Sequence, residues 1–344
     1  MVVHENDCIL DVQDLEVRFF QDEGTVRAVN GVSFNLNAGQ AIGLVGESGC
    51  GKTVTAYSVM RLLPRSGKIT AGEIKYKKAS GEVIDLAKLS DGKEMSAIRG
   101  AEISMVFQEP MSSLSPVHSV LNQVSESILL HQQVSTEEAI GRTVDILTRV
   151  GIPDAEARMY DYPFQFSGGM RQRVMIAMAL ACNPRILIAD EPTTALDVTI
   201  QAQVLKLIKE MQQEMNLSLI LITHDMGVIA QMVDYVYVMY LGCIVEEGDV
   251  REIFNNPQHP YTRALLRSIP KLRGPKEELA SIEGSVPSAS ALPTGCTFHT
   301  RCKSIVGDIC RRQRPSRTDI TSNHRVYCFL HSDRKVETND QYVG

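Results

Sequence analysis

Residues 164–197 read FQFSGGMRQRVMIAMALACNPRILIADEPTTALD. Within this stretch the apolar run Ile186-Leu187-Ile188-Ala189 has the look of a buried parallel strand. It ends in two carboxylates, Asp190 and Glu191, at the edge where such sheets present functional groups. Upstream, Ser167-Gly168-Gly169 makes a small-residue turn ahead of the apolar run Val174 to Cys182, which reads as a core helix. Downstream, Thr194-Ala195-Leu196-Asp197 leads into a second helix, expected over about 199–215. A strand delivering carboxylates between two helices calls for an α/β core.

The first half of the chain supplies what those carboxylates require. Gly46-Glu47-Ser48-Gly49-Cys50-Gly51-Lys52-Thr53 fits the phosphate-loop pattern in full, after the strand AIGLV and at the start of a helix. Its glycines let backbone N–H groups turn inward without Cβ clashes, and the helix N-terminus adds partial positive charge. Lys52 is placed to meet the β- and γ-phosphates and the Thr53 hydroxyl to ligate Mg²⁺. Asp190 is the second Mg²⁺ group, and Glu191 polarises the attacking water as general base. The site therefore calls for ATP and Mg²⁺.

Around these motifs, residues 9–45 alternate like strands and 71–108 are again strand-rich, closing on ISMVFQ. From about 111 to 170 the pattern turns helical. The strand LSLILIT and a hairpin near VYVMYLGCIVEEG complete the body. Past about residue 257, Pro and Gly become frequent and periodicity fades, which predicts a smaller irregular appendage. The 344 residues are 44% hydrophobic and 22% charged, with net charge −6. That balance fits a globular protein and disfavours wholesale nucleic-acid binding. No apolar run reaches the length that spans a bilayer, and no signal peptide is visible, so a cytosolic chain is expected whose membrane role comes through partners.

Of eight cysteines, Cys8, Cys50, Cys182 and Cys243 are scattered and read as small core residues. Cys296, Cys302, Cys310 and Cys328 crowd together. In a reducing compartment that clustering points to metal rather than disulfides. The paired C-x₂-C spacing of structural zinc is absent.

The phosphate loop, the acidic pair and the Ser-Gly-Gly turn resemble the nucleotide-binding subunits of ABC transporters, over about residues 9–250. The resemblance implies a phosphate-loop ABC ATPase fold with an antiparallel β subdomain and a helical subdomain. It implies that Phe19 stacks on adenine, that Gln108 contacts Mg²⁺ and water and faces the membrane partner, and that His224 contacts the γ-phosphate. Lys52, Thr53, Gln108, Asp190, Glu191 and His224 then surround one ATP. Ser167, Gly168, Gly169 and Asp197 serve the ATP of a facing subunit. Phe166 stands where the family most often has Leu, and Met170 where it has Gln.

FQEPMSSLSP, ADEPTTALDVTIQAQ, NPQHPYTRALL from Asn256 to Leu266 and GCTFHTRC from Gly295 to Cys302 narrow the resemblance. They look like the D-type ATPase subunits of oligopeptide and dipeptide importers. This implies a nucleotide-binding domain over 1–256, with its helical subdomain at about 111–170, and a C-terminal extension over 257–344. It implies a motor at the cytoplasmic face of the cell membrane, paired with a second homologous ATPase as a heterodimer. Two permease subunits and, indirectly, an extracytoplasmic peptide-binding protein complete the machine. Import of nickel or another small solute by the same architecture is the alternative. A DNA-acting ABC ATPase fits worse, because no sustained heptad run or basic surface is present, and a two-cassette translation factor would need a second phosphate loop. Such tails are expected to carry a [4Fe–4S] cluster on Cys296, Cys302, Cys310 and Cys328, with Zn²⁺ or no metal as the other readings.

Overall fold

The computed structural model describes residues 7–90, 92–109, 113–194, 196–269 and 282–332. The chain divides into two compact units, each assembled from separated segments. The first takes Met1–Leu10, Asn35–Ala41 and Lys75–Ile222. The second takes Asp11–Phe34, Ile42–Ile74 and Thr223–Gly344.

In the first unit, strand Ile186–Asp190 pairs in parallel with Ile103–Val106 on one side and Ser218–Thr223 on the other. Every residue of these strands is buried. Covered on both faces, such strands become continuous apolar runs instead of alternating ones. The expected helical stretch contains helices Val120–His131 and Thr136–Arg149. Ser119 and Ser135 cap them by accepting from the N–H groups of Asn122 and Glu138. Glu137 and Glu138 in the first turn and Arg149 in the last suit the helix dipole of the second helix. The apolar run read as a core helix lies in Gly168–Leu180. No described helix is long and apolar enough to cross a membrane.

In the second unit, strand Ala41–Val45 pairs in parallel with Tyr235–Tyr240, which turns back antiparallel onto Cys243–Asp249. That hairpin is the one expected from VYVMYLGCIVEEG. Strands Gly24–Asn37, Cys8–Gln21 and Gly67–Lys77 lie side by side in another sheet. The appendage is less irregular than its composition predicts. His324–Val326 pairs antiparallel with Cys243–Asp249, and Thr318–Thr321 pairs with His324–Val326.

Glu246, fully buried on strand Cys243–Asp249, anchors this addition. One carboxylate oxygen accepts from Gln258 N–H (2.6 Å) and lies 2.8 Å from His324 Nε2, and the other accepts from His259 N–H (2.9 Å). Burial pushes this carboxyl upward, but the hydrogen bonds from His324 and the two backbone N–H groups together hold it below its ordinary range. His259 caps helix Pro260–Arg267, its Nδ1 accepting from Tyr261 N–H at 3.1 Å.

Burial pushes the His259 imidazole down to about 4. The unfolded chain takes up this proton below about pH 6.5, and the folded chain only below about 4. Stability present at neutral pH is therefore lost as pH falls through that window, by about 2 kcal/mol at about pH 5. His259→Asn, whose amide preserves the cap, should lose that much less on acidification. Urea unfolding of both proteins at neutral pH and at about pH 5 reads the difference, and parallel losses would remove His259 as its source.

Candidate functional site

The phosphate loop lies in the second unit, between the buried strand Ala41–Val45 and helix Lys52–Val59. Gly46 has φ +153, and a Cβ there would run into the Met239 carbonyl. Gly51 has φ +103, and a Cβ would stand 2.5 Å from the Ala28 carbonyl oxygen. Both positions demand glycine. Ser48 and Gly49 are exposed, while Cys50 is buried. Lys52, 5% exposed, curls back on the loop, its ammonium donating to Gly46 O (2.8 Å) and Glu47 O (3.1 Å). Burial raises the Cys50 thiol, with Lys52 partly offsetting it. Thr53 follows in the first helical turn, half-buried.

Also in this unit, His224 is exposed at the end of strand Ser218–Thr223. Asp225 caps the helix Met226–Met232 after it, accepting from Gly227 and Val228 N–H. The Phe19 ring is half-buried, and a Cβ on Gly67 would stand 2.9 Å from it. Its neighbour Phe20 is exposed, with Lys68 Nζ 6.0 Å from its ring centre.

The first unit carries the carboxylates. Asp190 ends its strand almost completely buried. Glu191, one residue on, has φ +44, a left-handed conformation that costs a non-glycine residue energy. Its N–H donates to Ile222 O at 2.8 Å. Its carboxylate Oε2 accepts from Gln108 Nε2 (2.9 Å) and from Thr194 Oγ (3.0 Å). Two residues singled out separately in the sequence thus meet directly, and Thr194 joins them.

Ser167 caps helix Gly168–Leu180, its hydroxyl accepting from Met170 N–H. Since Met170 contributes its backbone to this cap, its unusual side chain leaves the turn intact. Phe166 is buried, with Arg158 over its ring. A Cβ on Gly169 would stand 2.7 Å from Ile200. Asp197 caps helix Val198–Glu214 by accepting from Ile200 N–H. Ala195 of the Thr194–Asp197 segment lies outside the described residues. Buried Gln172 donates to Pro192 O at 2.6 Å, tying helix Gly168–Leu180 to the turn after Glu191. No sequence pattern flagged Gln172, because its role depends on that spatial neighbour.

None of the eight cysteines is in a disulfide. The four tail cysteines lie within electrostatic reach of one another. Cys302 and Cys310 sulfurs accept from Ser304 N–H (3.3 Å) and Val306 N–H (3.4 Å). Cys296 accepts from Phe298 and His299 N–H, and Cys328 from Leu330 N–H. Burial raises the thiols of Cys296, Cys302 and Cys328, the last to about 11. Among the described residues, no group of three or more His, Cys, Asp or Glu is placed to hold a metal ion. The expected ligand set is thus gathered but not arranged as a coordination shell.

Residues 29–194 match the family model for ABC transporters, and residues 245–310 match that for the C-terminal region of oligopeptide/dipeptide transporters. The dipeptide transport ATP-binding protein DppD of Bacillus subtilis is 51% identical over 327 residues, covering 95% of this chain and 96% of that protein. The chain belongs to the ATP-binding subunits of ABC transporters, in their oligopeptide/dipeptide group. The oligopeptide transport ATP-binding protein AppD of Bacillus subtilis is 47% identical, with 96% of this chain and 98% of that one covered. DppD of Escherichia coli is 44% identical, with 94% and 97% covered. Among solved structures, a dimeric ATP-binding cassette in a post-hydrolysis state with ADP and Pi superposes with a TM-score of 0.62 at 27% identity. The match covers 71% of this chain and 99% of that one.

The glycine constraints of this ABC subunit yield a test. Gly51→Ala combines left-handed strain with a backbone clash and should cost about 1–3 kcal/mol. Gly49→Ala, at φ +78 with nothing near its Cβ, should cost about 1 kcal/mol. Thermal unfolding without nucleotide reads both, and equal losses would show that the Ala28 carbonyl does not constrain the loop.

Proposed function

We propose that this chain is the ATP-hydrolysing motor of an importer of dipeptides and oligopeptides, working at the cytoplasmic face of the cell membrane on permease subunits. The hydrogen bond from Gln108 to Glu191 carries the catalytic part of this reading. It ties the residue expected to sense the membrane partner to the residue expected to activate water. The strained backbone of Glu191 supports the same assignment, since such strain concentrates where a side chain must be aimed. The match of residues 245–310 favours peptides over nickel or another small solute.

In this reading the domains run over 1–256 and 257–344. The N–H groups of residues 46–53 and the Lys52 ammonium bind the phosphates, and Phe19 stacks on adenine. Thr53, Gln108 and Asp190 would hold Mg²⁺ through the oxygen donors it prefers, and that metal would supply neutralisation of charge on the phosphates. Glu191 accepts a proton from water as its oxygen bonds to the γ-phosphorus and the bond to ADP breaks. His224 donates to the γ-phosphate. Ser167, Gly168, Gly169 and Asp197 act on the ATP of a second ATPase subunit. A homologous but distinct partner makes the pair a heterodimer, and an extracytoplasmic binding protein delivers the peptide. The dimeric state of a similar cassette supports the two-subunit arrangement.

A second reading concerns the tail. Backbone N–H groups donate to all four cysteine sulfurs, a donor pattern that would also serve sulfurs bound to metal, and four cysteines suit a [4Fe–4S] cluster, with Zn²⁺ as the alternative. The cluster would be structural.

Glu191→Gln in the assembled complex should bind ATP but hydrolyse it at least about 100-fold more slowly, and undiminished turnover would sink the role of this residue. Protein purified without oxygen should contain iron and sulfide, and Cys310→Ser should lose them. Iron content unchanged in that variant would remove Cys310 from the ligand set.

A further inference from the structure

Glu47 occupies the second position of the phosphate loop, where its carboxylate stands beside the backbone expected to receive polyphosphate. Left alone, that charge would repel the nucleotide and compete for the loop's N–H donors. It is not left alone. Arg301, in the segment between Cys296 and Cys302, grips both carboxylate oxygens, with Nη1 to Oε2 at 2.7 Å and Nη2 to Oε1 at 3.1 Å. Such a fork fixes geometry as well as charge.

The arginine is itself held. Its side chain is 3% exposed, and it donates to the carbonyls of Ile282 (2.9 Å) and Glu283 (3.1 Å). Its guanidinium lies 5.9 Å from the Tyr240 ring centre. Tyr240 packs on Tyr261 at 4.7 Å, and Phe298, three residues before Arg301, packs on both rings at 5.1 and 5.3 Å. Tyr261 Oη in turn accepts the Glu47 N–H at 2.8 Å. Glu47 is therefore clamped twice from the C-terminal part of the chain, by its carboxylate and by its amide.

We propose that Arg301 is a positioning residue for the nucleotide: it neutralises Glu47 and sets the entry of the phosphate loop, so that the C-terminal extension is a working part of the ATP site. This rests on the reading of residues 46–53 as that site. Removing the arginine leaves a partly buried carboxylate unpaired next to the phosphates, which weakens ATP binding more than it slows the chemical step. Removing the carboxylate as well lifts the repulsion.

The test uses the full chain in its assembled transporter, with KM for MgATP, kcat and thermal unfolding measured for each variant. Arg301→Met should raise KM about tenfold or more with kcat within about threefold. In a Glu47→Gln background the same change should move KM by less than about threefold, and Arg301→Lys, which keeps the charge without the fork, should fall between. An unchanged KM in Arg301→Met overturns the proposal. So does an equal rise in the Glu47→Gln background, which would mark a merely structural arginine. If Arg301→Met does not fold, the double variant decides: one that folds and hydrolyses ATP supports the clamp, and one that also fails to fold overturns it. Lys52→Ala separates the two levels, because wild-type KM in that variant overturns the reading of the site itself and this proposal with it.

Discussion

A carboxylate buried without donors would be intolerable, and Glu246 has none of its own to offer. Its cross-strand partners Val238 and Val326 are apolar, and its two oxygens are filled by the backbone of Gln258 and His259 and by the His324 ring. Those donors come from the turn before helix Pro260–Arg267 and from the strand His324–Val326. Strand Cys243–Asp249 therefore depends on Gln258, His259 and His324 for its electrostatics, and those segments depend on that strand for their place. The placement matters beyond stability, because the same helix carries Tyr261, whose hydroxyl reaches the phosphate loop.

What was legible in the sequence was whatever chemistry is local. The phosphate loop is a run of eight residues whose glycines answer to constraints visible in the fold, such as the Ala28 carbonyl against Gly51. The strand before Asp190 announced itself by continuous apolar residues. Gln108 and Glu191 could be singled out one at a time. Their mutual hydrogen bond could not, since nothing in either segment specifies that they meet, and the left-handed backbone of Glu191 has no signature in a residue that is not glycine.

The tail shows why the rest was hidden. Thr318–Thr321 and His324–Val326 are short and polar, below the length at which alternation can be recognised, so they read as irregular. They become strands because Cys243–Asp249 offers them an unpaired edge. Context, not propensity, makes them regular. The Arg301–Glu47 pair is farther from legibility still. Both residues sat in motifs already assigned to other purposes, Glu47 to the phosphate loop and Arg301 to the GCTFHTRC segment of the cysteine tail.

That double membership changes how the cysteine segment should be weighed. Phe298 and Arg301 lie between Cys296 and Cys302, and the chain reverses within those few residues through hydrogen bonds from Arg301 N–H to Phe298 O and from His299 N–H to Cys296 O. A turn this tight transmits displacement, because close packing of Phe298 against Tyr240 and Tyr261 leaves no slack to absorb it. Whatever fixes the sulfurs of Cys296 and Cys302 also fixes the guanidinium between them. The structural role proposed for the cysteines and the nucleotide role proposed for the arginine would then be one constraint seen from two ends. Geometry at the sulfurs is geometry at Glu47.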